Sequence, residues 1–254
     1  MAIVAVAGDA CTTTSVALAS AWPITDDTVL VEADPAGGDL GAWLDMPLAP
    51  SLSTVVTRVL DGAWPEIDRL TRLAGAGLRV IPAPSRSVEA AQAVGQSART
   101  LVPTLAALRS PTFIADVGRL PVPPTTNPFV TAASVLVMVH RQGTQSSRAA
   151  AVRLQRFVDQ LHSVASTTPM VVAVVGAEPF DVEEVARFVV DAIGEVPVVG
   201  LPVDPLSAAV FGGRTGVSER RLARLPLLRA ARDLAVVAAW ALGRSADECR
   251  QVGR

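Results

Sequence analysis

Seven short apolar runs, rich in β-branched residues, alternate with longer helical patterns along this chain of 254 residues. The runs are 2–7, Thr28–Val31, Leu78–Ile81, Thr112–Ala115, Ser134–Val139, Met170–Val175 and Pro197–Leu201. They are almost continuously apolar, as strands are when a parallel sheet is covered on both faces. Helical spacing recurs between them, near Thr13–Ala21, Ser51–Leu60, Val88–Ala98, Pro103–Leu108, Gln145–His162, Val182–Ile193 and Leu222–Leu242. Strand–helix alternation of this kind predicts a doubly wound, mostly parallel α/β sheet with helices on both faces. Pro103 lacks an N–H and breaks the longer Val88–Leu108 pattern. We expect one domain over residues 1–254, with 244–254 as a C-terminal tail.

Half of the residues are apolar and 18% are charged, which is ample for a full core. The net charge of −2 gives no global basic field for nucleic acid or anionic lipid. All 22 basic residues are arginine, and tyrosine is absent. A GC-rich genome accounts for that bias over the general surface. It explains less at a phosphate site, where Arg and Lys are not interchangeable. The two cysteines, Cys11 and Cys249, make no disulfide framework and have no metal-ligand spacing. With no basic, apolar leader at the N-terminus, the expected setting is cytoplasmic. The longest apolar segment, Leu225–Leu242, is interrupted by Arg229, Arg232 and Asp233 and reads as a buried helix.

In open α/β sheets the ligand crevice lies at the carboxyl ends of the strands. Gly8-Asp9-Ala10-Cys11-Thr12-Thr13-Thr14 follows the first run, and Glu32-Ala33-Asp34-Pro35-Ala36-Gly37-Gly38-Asp39 the second. Asp116-Val117-Gly118 follows the fourth, Gly176-Ala177-Glu178-Pro179 the sixth and Pro202-Val203-Asp204-Pro205 the seventh. Over nearly its whole length the chain resembles the ParA/MinD family of deviant Walker A P-loop ATPases. Val29-Leu30-Val31-Glu32-Ala33-Asp34-Pro35 is similar to that family's second-strand motif. Phe113-Ile114-Ala115-Asp116 resembles its Walker B strand, and Val198–Asp204 its late base-flanking segment. The resemblance implies a nucleotide loop at Gly8–Thr14, a water-orienting Asp34, and magnesium held by Thr13 and Asp116.

The departures fall in the nucleotide loop. Against the family pattern K-G-G-x-G-K-T-T, the signature lysine falls on Ala7 and the phosphate lysine on Thr12. Asp9 and Cys11 replace glycines, so only Gly8, Thr13 and Thr14 match. Two like charges about 4 Å apart cost roughly 4 kcal/mol at an effective dielectric near 20, and a comparable attraction is lost with the lysine. Together these terms consume the ~4–8 kcal/mol of millimolar-to-micromolar binding. A helix N-terminus still offers N–H donors. The acids also admit structural roles, with Asp34 capping a turn before Pro35 and Asp116 capping loop N–H groups.

The remaining candidates carry less. Cys11 is either a low-pKa thiol at a helix start or a small buried filler. His140 and His162 read as helix-end or surface residues. Arg214, Arg220, Arg221, Arg224, Arg229 and Arg232 form a basic cluster able to meet DNA or acidic partners, or simply to face solvent. The tail lacks the basic amphipathic pattern of a membrane anchor. Leu120–Pro128 reads as one extended surface loop.

The expected function is therefore a ParA/MinD-like scaffold or positioning factor, nucleotide-independent, without a catalytic residue, metal or cofactor. Its partners would be proteins and a second copy of itself, meeting at Asp34, Asp39, Asp116, Arg119 and Arg141. The TadZ/CpaE pilus-localisation proteins resemble it in their eroded P-loops, and secretion, pilus, partition or division machinery would be its assembly. The alternative is a weak Mg-ATP-dependent ATPase switch in which Arg141 or Arg214 replaces the lysine and Asp34 orients water. A dinucleotide-binding enzyme is disfavoured, because Gly8 stands alone where G-x-G-x-x-G is needed. No nucleophile elbow or zinc pattern occurs.

Overall fold

A computed structural model describes residues 3–22, 27–47, 49–59, 69–73, 78–120, 123–143, 146–164, 168–216 and 218–252. Eight strands form one sheet: β1 Ile3–Gly8, β2 Thr28–Glu32, β3 Arg72–Leu73, β4 Arg79–Ile81, β5 Thr112–Asp116, β6 Val135–Arg141, β7 Met170–Val175 and β8 Val198–Leu201. Their order is β3-β4-β2-β5-β1-β6-β7-β8. All pairings are parallel except β3 with β4. The seven runs read from the sequence are the seven parallel strands. The two-residue antiparallel edge β3 was not anticipated, since a pair of residues carries no periodicity.

Two cores sandwich the sheet. On one face, α1 (Cys11–Ala21) and the last helix, α11 (Pro226–Val252), pack on Val4, Val6, Ile114 and Val137. On the other, α3 (Leu52–Arg58), α4 (Ser87–Ser97), α5 (Leu101–Ala107), α7 (Ser147–Val164) and α8 (Val182–Ile193) cover Ile3, Val31, Phe113 and Val172. Strands buried on both sides need no polar alternation, which is why the runs were so continuously apolar. Short helices α2 (Leu40–Trp43), α6 (Pro128–Thr131), α9 (Pro205–Phe211) and α10 (Glu219–Leu222) complete the described helices. Three of them span four residues, about one turn, too short for helical periodicity to show in a sequence.

Some helix boundaries differ from those read in the sequence. The break between α4 and α5 falls at residues 98–100, and Pro103 sits in the first turn of α5, where a missing N–H is tolerated. The segment 244–254, expected as a tail, continues α11 as helix as far as Val252. Asp181 opens α8 with a capping box, accepting from Glu184 N at 2.7 Å while Glu184 Oε2 accepts from Asp181 N at 2.9 Å.

The proline-rich loop is less extended than its composition suggested. Residues 121 and 122 lie outside the described residues, Pro124–Thr126 forms a 3₁₀ turn, and Asn127 is buried. Asn127 accepts from Phe129 N at 3.0 Å, capping α6, and its amide donates to Ala33 O at 3.0 Å. One side chain thus ties this loop to the segment after β2. Replacing Asn127 with Ala strips the cap and leaves the Ala33 carbonyl without its donor, so Asn127→Ala should lower unfolding stability by about 2 kcal/mol in urea titrations.

Candidate functional site

β1 lies between β5 and β6, and the chain crosses over it between those two strands. The carboxyl ends of β1, β2, β5, β6, β7 and β8 therefore meet along one edge, where such sheets open a crevice. The turn after β1 is held from both sides. Gly8 N donates to Gly118 O at 2.9 Å and Asp9 N to Val139 O at 3.0 Å. Gly8 has φ of +120°, and a Cβ there would sit 2.2 Å from the Val139 carbonyl oxygen, so only glycine fits. Ala10 is left-handed at φ 59°, and α1 starts at Cys11.

The side chains of this turn do not converge on a phosphate. Asp9 reaches outward to Arg153 of α7, with Nη2 2.6 Å from its Oδ2, and the same nitrogen lies 3.5 Å from Arg141 O. Both partners are about 40% exposed. Sequence reasoning missed Arg153, which lies 144 residues from Asp9 in a helix of ordinary amphipathic pattern. Thr14 Oγ1 donates to Ala10 O at 2.9 Å, inside its own helix. Thr13 lines a 270 Å³ cavity with Arg141, Val203, Asp204 and Arg214. The first helical N–H groups, those of Cys11, Thr12 and Thr13, have no intrahelical acceptor.

Behind the turn lies a knot of buried acids. Asp116, at the end of β5, is fully buried, and its Oδ1 accepts from Gly118 N at 3.2 Å. Thr12 and Cys11 lie against this carboxyl, yet Oδ2 has no hydrogen-bond partner among the described residues. The hydroxyl beside Asp116 is that of Thr12. Burial lifts the Asp116 pKa to about 6. Burial, with Asp116 close by, also raises the Cys11 thiol, so Cys11 is a protonated core residue rather than a reactive thiolate.

Glu32 is the register partner of Asp116 across β2 and β5. Its Oε1 accepts from Asp39 N at 2.7 Å and Leu40 N at 2.9 Å, and its Oε2 from Ala83 N at 2.8 Å. Desolvation outweighs these three bonds and raises its pKa to about 7. Glu32 is therefore the internal strut of the 33–40 segment, a role the sequence motif did not disclose. Asp34 is half-buried, with its pKa raised by desolvation, and its Oδ1 accepts from Ala36 N at 2.7 Å as the turn cap expected before Pro35. It lies against Gly118, where a Cβ would come 2.2 Å from the Asp34 carboxyl carbon.

Of the interface candidates, Asp39, Arg119 and Arg141 are exposed and Asp34 is half-buried. Asp116 has no exposed surface and cannot meet a partner in this conformation. His140, read as a helix-end or surface residue, is buried at the end of β6, its ring centroid 4.9 Å from that of Phe157, and burial lowers its pKa. His162 joins two helices, its ring nitrogens each 3.1 Å from Val158 O and Ala192 O. Arg214, Arg221, Arg224, Arg229 and Arg232 are exposed, and the side chain of Arg220 lies outside the described residues.

Above these groups opens a crevice of about 1130 Å³, lined by Asp9, Arg119, Arg141, Arg153 and Glu178 and walled by Val182, Leu201 and Val203. Gln142 shapes one wall. Its amide donates to Gly176 O at 3.0 Å and Phe180 O at 2.6 Å and accepts from Phe180 N at 3.1 Å. Among the described residues no group of three or more His, Cys, Asp or Glu is arranged to hold a metal ion. No described helix is long and apolar enough to cross a membrane.

The architecture matches solved structures. A ParA family ATPase from Chlorobium tepidum superposes with a TM-score of 0.65 at 13% identity, over 92% of this chain and 97% of the other. The cell division ATPase MinD of Pyrococcus furiosus gives 0.65 at 15%, over 93% and 99%. Cobyrinic acid a,c-diamide synthase from Mycobacterium smegmatis, solved with an ATP analog and magnesium, gives 0.57 at 18%, over 96% and 98%.

The chain has the ParA/MinD fold.

No family model matches the sequence, and no curated protein matches it either. Within this ParA/MinD fold the loop after β1 carries no lysine, and its one acidic side chain is engaged by an arginine.

The buried acids give the site a pH signature. Folded Asp116 and Glu32 hold protons that the unfolded chain has already released, so stability falls as pH rises from about 4 to about 7. Asp116→Asn removes one ionisation and should stabilise the protein at pH 7 by on the order of 2 kcal/mol, with no gain below pH 4. Thermal melts across that range would show the two curves converging at low pH.

Proposed function

We propose that this protein is a ParA/MinD-fold scaffold or positioning factor that does not switch on ATP, working in the cytoplasm as a homodimer or a monomer. The observation that carries this reading is the Asp9–Arg153 ion pair on the turn after β1. A magnesium triphosphate there would meet a carboxylate, with Thr12 at the lysine position of the motif. The residues present do not fit that group, so no hydrolytic step is derived through it.

The protein–protein surface would be the edge that carries Asp34, Asp39, Arg119 and Arg141. Its segments are rigidly built: Glu32 braces residues 39 and 40, and Asn127 braces Ala33. In relatives of this fold the partners are named by their structures, as in the MinC:MinD cell division complex of Aquifex aeolicus. The partner assembly here would be a secretion, pilus, partition or division machine, with TadZ/CpaE-like proteins as one functional analogy.

A second reading has one observation in its favour. Arg141 and Arg214 line the cavity beside Thr13, so a guanidinium stands near the helix start even though a lysine does not. In that case the protein would be a weak Mg-ATP switch with Asp34 orienting water. The two readings separate on mass and heat. Light scattering should give one molar mass with and without Mg-ATP, and the turnover of the wild-type protein should equal that of Asp34→Ala. An ATP-dependent rise in mass, or turnover lost in Asp34→Ala, would replace the scaffold reading with the switch.

A further inference from the structure

The last helix, α11, turns a mixed face to solvent. Arg229, Arg232, Asp233, Val236 and Trp240 are all exposed. Their successive spacings of three and four residues place them in one stripe, since such residues are neighbours on a helix surface. From Arg229 to Trp240 the stripe runs about 16 Å at a rise of about 1.5 Å per residue.

One end of the stripe is concave and basic. Arg229, Ala230, Arg232 and Asp233 line a hollow of about 610 Å³ together with Pro226 and with Pro202, which follows β8. Neither arginine forms an ion pair among the described residues. Asp204 ties the two walls of the hollow together. Its Oδ1 accepts from Leu206 N and Ser207 N, each at 3.1 Å, and its Oδ2 accepts from Leu227 N at 3.4 Å. The turn after β8 is thereby joined to the first turn of α11. The other end of the stripe is apolar, with Val236 62% and Trp240 56% exposed one turn apart. Large apolar side chains grouped on a surface mark contact sites, and Trp is enriched where binding energy concentrates.

The pattern selects one class of occupant. Two guanidiniums on one turn, short of carboxylates, match acidic side chains as planar forks. An amphipathic helix presents its own face at the same three- and four-residue spacing, so it can lay acids on the hollow and apolar side chains farther along. Duplex DNA draws its affinity from many phosphate contacts. The two arginines of the hollow, with Asp233 beside them, supply few of these, and a duplex leaves Val236 and Trp240 unused. A lipid surface needs a wide apolar face, and Leu227, Leu228, Leu234 and Ala238 of α11 are already in the core.

We propose that this stripe of α11 docks an acidic amphipathic helix of a partner protein, its carboxylates on Arg229 and Arg232 and its apolar side chains on Val236 and Trp240. The stripe shares no residue with the strand-end edge that carries Asp34, Asp39, Arg119 and Arg141, and the proposal does not depend on the scaffold reading.

Fluorescence anisotropy on the full chain tests it with four labelled probes. They are a helical peptide with two glutamates one turn apart and two leucines farther along the same face, its Lys-for-Glu version, a duplex DNA and phosphatidylglycerol vesicles. The glutamate peptide should bind at least tenfold more tightly than the lysine peptide. Arg229→Met combined with Arg232→Met should weaken it at least tenfold and Trp240→Ala at least fivefold, whereas Arg148→Met, on the exposed start of α7, should leave it unchanged. Arg229→Glu with Arg232→Glu should reverse the preference towards the lysine peptide, a gain that misfolding cannot mimic. Failure of the glutamate peptide to bind wild type would overturn the proposal, as would binding indifferent to the arginine or Trp240 variants. DNA or vesicles bound more tightly than the peptide through the same arginines would overturn the choice of a protein partner. An ATP-dependent mass shift would end the scaffold reading and leave this one standing.

Discussion

Two backbone hydrogen bonds, Gly8 N to Gly118 O and Asp9 N to Val139 O, set the geometry on which the rest of the site depends. They bind the end of the central strand to the loop after β5 and to β6 itself. With Gly8 pressed on the Val139 carbonyl, the turn has no slack. From this turn Asp9 reaches Arg153 of α7. The Asp9 N–H is also spent on a carbonyl, so it cannot face an anion. The loop after β1 is thus a corner that joins β1 to β6 and to the loop after β5.

The acids behind that corner show the same trade between structure and function. Glu32 is kept buried and raised in pKa because three backbone N–H groups depend on it. Asp116 has less structural return. One oxygen accepts a single hydrogen bond, and the other is buried without a partner among the described residues. A buried polar atom left unpaired costs on the order of 1–3 kcal/mol. Sites retained at the expense of stability are where function, present or ancestral, is to be sought.

The sheet was legible because burial on both faces writes itself as uninterrupted Val, Ile and Ala, and all seven parallel strands stand where those runs predicted. Short elements were not, since four-residue helices such as Leu40–Trp43 and Pro128–Thr131 are set by caps and tertiary contacts such as those of Asn127. Asp34, Asp116 and the Gly8 turn stand at the ends of β2, β5 and β1, as the strand-end motifs placed them. The roles were less visible. That Glu32 is a strut, that Thr12 lies on Asp116, and that Asp116 is too buried for an interface all depend on side-chain direction, which spacing does not encode. Arg153 was invisible for a plainer reason: its partner is 144 residues away, and one arginine on a helix looks like any other.

Asp9 and Arg153 occupy each other on the turn after β1, and we propose that this turn does not grip a triphosphate. A crystal structure grown with excess Mg-ATP, read at residues 8–14, tests it most directly. The Asp9–Arg153 contact should be intact, with no triphosphate density over the turn. A triphosphate seated on the amides of Cys11–Thr13, with magnesium beside Thr12 or Thr13 and Asp9 swung away from Arg153, would contradict it.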